Sequence, residues 1–61
     1  MEKNFTILGE TFEVRYFPHF YAMYKAGPDN LERQLKSIAD KWHDGSIVSA
    51  VQALESDLGH G

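Results

Sequence analysis

Tyr16-Phe17-Pro18-His19-Phe20-Tyr21-Ala22-Met23-Tyr24 holds five of the eight aromatic residues of the chain. From Phe17 the large rings recur at Phe20, Tyr21 and Tyr24, the i, i+3, i+4, i+7 spacing of one helix face. So short a helix is not stable alone in water, and its aromatic face must pack on something. A strand-like segment precedes it and two helix-like segments follow. The stretch is therefore expected to be the slab that the other elements share.

Upstream, residues 3–16 read as a β-hairpin. Leu8-Gly9-Glu10-Thr11 offers Gly-X as a two-residue loop, the demand of a type II′ turn. That turn sets Ile7 opposite Phe12, Thr6 opposite Glu13, Phe5 opposite Val14 and Asn4 opposite Arg15. Phe5, Ile7, Phe12 and Val14 then share one face, and Asn4, Thr6, Glu13 and Arg15 the other. A slip of one residue would scramble both faces.

Downstream, Pro18 suits the first turn of a helix over 18–26. Ala26-Gly27-Pro28 closes it, with Gly27 in the left-handed C′ position. Asp29 opens a second helix over 30–43, with Glu32 completing a capping-box pair. Leu31, Leu35, Ile38, Ala39 and Trp42 form its apolar stripe. Gly45 ends that helix and Ser46 caps a third over 46–58. Ile47, Ala50, Val51, Leu54 and Leu58 face inward in it, while Ser49, Gln52, Glu55 and Ser56 look outward. Gly59-His60-Gly61 is expected to fray. The order is ββααα, an α+β domain spanning residues 1–61 in which the helices cover a two-stranded antiparallel hairpin. The expected core is Phe5, Ile7, Phe12, Val14, Phe20 and Tyr21, joined by Leu35, Ile38, Trp42, Val51 and Leu54.

Size and charge bound the function. A chain of 61 residues without cysteine has no disulfide or thiolate zinc site. Its lack of Cys fits a reducing, cytoplasmic setting. Met1-Glu2-Lys3-Asn4 is not followed by an apolar run of signal-peptide length, and no stretch is long enough for a membrane span. Through Lys41, six acids balance six bases; Asp44, Glu55 and Asp57 then supply the net charge of −3 with no Lys or Arg after Trp42.

The chemistry-bearing residues are few. Ser37, Ser46, Ser49 and Ser56 fall on helix surfaces or caps, and His19, His43 and His60 belong to no catalytic motif. The adjacent pair His43-Asp44 would point about 100° apart on a helix. Asp40, His43 and Asp44 share one helical face and offer metal-ligand types, with His60 a distant fourth. The three-residue break at Asp44-Gly45-Ser46 gives the layout of a helix-turn-helix, with Ser46, Ser49 and Gln52 on the reading helix. That helix lacks the bases that phosphate binding needs, which argues against nucleic acid.

Protein binding is the expected function, without enzymatic activity, cofactor, metal or membrane. The aromatic residues exceed what so small a core readily encloses, and Tyr suits an interface. Tyr16, His19, Met23 and Tyr24 are the expected rim of the binding surface. Glu10, Glu13 and Arg15 decorate the outer face of the hairpin, whose open edge can pair with a target strand or with its twin in a dimer. Tiny, acidic, cysteine-free chains of this kind are often phage or plasmid accessory proteins, so the expected action is steric inhibition of a host enzyme or defence complex, as by an anti-CRISPR. A DNA-binding regulator and a homodimeric structural subunit are the alternatives.

Overall fold

A computed structural model describes residues 3–60, and the order of elements is ββααα. Strands β1 (Asn4–Ile7) and β2 (Glu10–Glu13) form an antiparallel pair. Helices α1 (Pro18–Ala26), α2 (Pro28–Trp42) and α3 (Ile47–His60) follow. α3 is helical through His60 rather than fraying from Gly59, and Gly61 lies outside the described residues.

The hairpin forms, but not in the expected register. Leu8 and Gly9 make the two-residue loop, at φ 51° and 85°. Two successive left-handed residues are the signature of a type I′ turn. Phe5 therefore faces Phe12, Thr6 faces Thr11, Ile7 faces Glu10 and Asn4 faces Glu13. This differs from the expected register by two residues at each position, a slip that keeps Phe5, Ile7 and Phe12 on one face, but Glu10, expected on the outer face, now lies opposite Ile7 at the end of the apolar one. The apolar face of Phe5, Ile7 and Phe12 is buried accordingly. On the outer face the Thr6 and Thr11 hydroxyls lie 3.2 Å apart. The Val14 N–H donates to the Lys3 carbonyl at 2.9 Å, extending the ladder by one pair. Residues 14–16 then turn, with the Tyr16 and Phe17 N–H groups both donating to the Glu13 carbonyl, 3.1 Å each. Arg15 and Tyr16 thus belong to a turn and not to the strand.

Helix α1 packs between the hairpin and the other two helices. Phe20 is fully buried, the rings of Tyr21 and Tyr24 each lie 5.5 Å from Phe5, and Phe17 meets Phe12 edge-on at 5.1 Å. On its far side α1 packs on both α2 and α3. The N-terminus of α1 has no side-chain cap of its own, because Phe17 has no acceptor to offer. Pro18 has no N–H, and Tyr21 donates to the Phe17 carbonyl at 2.9 Å. The two remaining donors go to Glu55 of α3: Phe20 N–H to Oε1 at 2.8 Å and His19 N–H to Oε2 at 3.3 Å. His19 Nδ1 joins the same Oε2 at 2.7 Å. Glu55 does not look outward; its side chain is only 12% exposed, and it caps a helix 35 residues upstream.

Gly27 joins α1 to α2 in extended backbone at φ −163°, not in the left-handed region. Its N–H donates to Met23 and its carbonyl accepts from Leu31. Pro28, expected only to stop α1, is the first residue of α2, and Asp29 lies in the first turn instead of capping it. The end of α2 does use left-handed residues: Asp44 at φ 52° and Gly45 at φ 82°. They bring the Gly45 N–H back to the Ala39 carbonyl at 2.8 Å. Ser46 caps α3 as expected, its Oγ accepting from the Ser49 N–H at 3.1 Å.

The buried core comprises Phe5, Ile7, Phe12, Phe20, Leu31, Leu35, Ala39, Ala50 and Val51, with Val14, Tyr21 and Leu54 packed partly against it. Trp42 is not in the core. It is 70% exposed, because it follows Leu35 and Ala39 on the buried stripe of α2 but lies beyond the reach of what covers them.

Candidate docking surfaces

Among the depressions beside the core, two are different in kind. The first runs beside β1. The Lys3–Val14 bond makes that pair hydrogen-bonded, and alternation then makes Phe5–Phe12 and Ile7–Glu10 hydrogen-bonded too. The N–H and C=O groups of Asn4 and Thr6 consequently point away from β2. Within the described residues the sheet has only these two strands, so that edge of β1 has no strand partner. Asn4, Phe5 and Thr6 line a cleft of about 490 Å³ whose other wall is Tyr24, Lys25 and Pro28. Tyr24 and Pro28 are its apolar part, over the buried Phe5 ring. Lys25 stands over the Tyr21 ring with Nζ 5.7 Å from the centroid.

The second depression is a groove of about 260 Å³ among the three helices. Buried Phe20, Leu31 and Leu35 floor it with Leu54, and Met23, Ile38 and Leu58 rim it. Gln34 and Asp57 are its polar lining. Met23 and Leu58 are 37% and 41% exposed. Trp42 stands one helical turn beyond Ile38 on α2, with Lys41 Nζ 5.4 Å from its ring centroid.

The residues expected to form one binding rim are dispersed among these places. Tyr24 lines the β1 cleft and Met23 the helical groove, although they are neighbours in sequence. Tyr16 is 58% exposed at the turn before α1, with the Arg15 guanidinium 4.7 Å above its ring. His19 is tied to Glu55. Glu10 lies beside the hairpin turn opposite Ile7, and Glu13 ends β2. Sequence reasoning missed Lys25, the edge groups of Asn4 and Thr6, the groove residues Leu58 and Asp57, and the exposure of Trp42. The alternation of the strand did carry the signal for Asn4 and Thr6, once the register is known.

The helix-turn-helix layout is present as α2, the break at Asp44-Gly45-Ser46 and α3, whereas the metal-ligand pattern takes a different shape in the fold. Asp40, His43 and Asp44 do not share a helical face, because α2 ends at Trp42 and Asp44 is left-handed. No three His, Asp or Glu side chains converge as metal ligands among the described residues, and the fourth ligand suggested at His60 falls on a side chain outside them. The Ser46 and Ser49 hydroxyls bond one another at 3.0 Å within the cap of α3. Among the described residues no helix is long and apolar enough to cross a membrane. No family model, curated protein or solved structure matches the chain. What these surfaces do is therefore read from their own residues.

Proposed function

We propose that the chain is a non-catalytic protein-binding module that captures an extended segment of another protein along the free edge of β1. One observation carries this reading: the unpaired edge groups of Asn4 and Thr6 open into a cleft already walled by Tyr24 and Lys25. Strand addition takes its affinity from main-chain hydrogen bonds and its selectivity from pockets for alternate side chains. Here an apolar side chain of the segment meets Tyr24 and Pro28, and a carboxylate meets Lys25. Bound in this way, the module acts by occupancy, denying the segment to its usual partner. That is steric inhibition, as expected of a phage or plasmid accessory protein. The cysteine-free composition fits action in the cytoplasm.

A random peptide library tests this without a named target. Peptides selected on the immobilised chain are mapped by amide chemical shifts. Asn4, Thr6 and Lys25 should move most. Thr6→Pro removes an outward donor while leaving the ladder to β2 intact, and it should abolish peptide binding in a folded protein. Peptides that bind Thr6→Pro as well as the parent, or that map to another face, would refute the reading.

A further inference from the structure

We propose that the three-helix groove receives Trp42 from a second copy of this chain, in a two-fold dimer. Helix α2 holds the anomaly that points there. In helical projection Trp42 falls between Leu31 and Leu35, both buried, yet it is 70% exposed. The apolar stripe of α2 runs a turn past its own cover. A Trp presents some 150–250 Å² for burial, so its exposure leaves a large apolar surface in water.

The groove has matching dimensions and chemistry. At about 260 Å³ it lies below the roughly 300–1,000 Å³ of pockets that hold whole small molecules, and it suits a single large side chain. Its floor is the apolar set Phe20, Leu31, Leu35 and Leu54. Charge selects the same partner. Two copies that each carry −3 repel unless their local charges pair. Lys41 accompanies Trp42, and Asp57 is the groove's one charged residue. When Trp42 enters the groove of the partner, Lys41 comes to the partner's acidic wall. Knob and hole also lie on the same side of α2, since Ile38 rims the groove one turn from Trp42. A single two-fold axis can then satisfy both at once, each copy giving a Trp and receiving one.

This surface is separate from the β1 edge, so either assignment can fail alone. The test is sedimentation equilibrium of the full chain, paired with its fluorescence, since Trp42 is the only tryptophan. The mass should rise from one chain to two with concentration, and the emission should shift to the blue over the same range. Trp42→Ala should stay monomeric while keeping the melting temperature that the parent shows when dilute and monomeric. Lys41→Glu and Asp57→Lys should each weaken the dimer about tenfold, and combining them should restore it. Thr6→Pro should leave the dimer unchanged. A chain that stays monomeric with constant emission up to about 1 mM overturns the proposal. So does a dimer that survives Trp42→Ala, or a charge swap that fails to restore association.

Discussion

At Leu8 the backbone takes φ 51°, a region costly for any residue with a Cβ, by about 1–2 kcal/mol. Leu8 therefore carries strain that a glycine would not. Because truncation alone loses packing, the informative comparison is between two small residues. Leu8→Gly should be more stable than Leu8→Ala by about 1 kcal/mol, the reverse of their order in regular structure. Equal urea midpoints would show that the turn is not type I′. Glu55 is the second residue whose role depends on backbone geometry. It follows Val51 by four positions and so shares the Val51 face, but its charge suggested an outward side chain. The donors that draw it inward belong to α1, and nothing periodic in the sequence connects positions that far apart. Glu55→Ala should cost about 1–2 kcal/mol, as for loss of a good N-cap. Ser56→Ala, one position along on the exposed surface, should change stability by less than about 0.5 kcal/mol. Indistinguishable thermal midpoints for the two would remove the capping role.

Among the elements, what the sequence made legible is what periodicity encodes. Alternation placed Phe5, Ile7 and Phe12 on one face of the ribbon, and the 3.6-residue stripe placed Leu31, Leu35 and Ala39 inward. Pro18 and Ser46 marked the starts of α1 and α3. The register of the hairpin was not legible, for a physical reason. Side-chain parity repeats every two residues, so it rejects a slip of one and is blind to a slip of two. Only turn chemistry could decide, and Leu is a poor signal for a left-handed position. Pro28 was ambiguous in a similar way, since a proline that cannot continue one helix is equally suited to begin the next. Trp42 shows the limit of the helical stripe: periodicity gives the direction of a side chain, not the length of the neighbour that covers it. The binding residues follow the same division. Met23 and Tyr24 were expected on one rim, but they line different depressions, and which one each lines depends on the packing of α1.

For the whole molecule, α1 is held by rings on the hairpin side and by the Glu55 cap and two helices on the other. That arrangement closes the core and leaves open, among other surfaces, a polar strand edge and an apolar groove. The proposed function depends on the first of these being open in the free protein. Residue-resolved amide hydrogen exchange on the unbound chain tests that claim most directly. Phe5 and Ile7 should be protected by their bonds to Phe12 and Glu10, while Asn4 and Thr6 exchange near the rates of an unstructured peptide. In the register slipped by two residues the hydrogen-bonded pairs would be inverted. Protection at Asn4 and Thr6 with rapid exchange at Phe5 and Ile7 would contradict both the type I′ hairpin and the free edge on which the binding function is built.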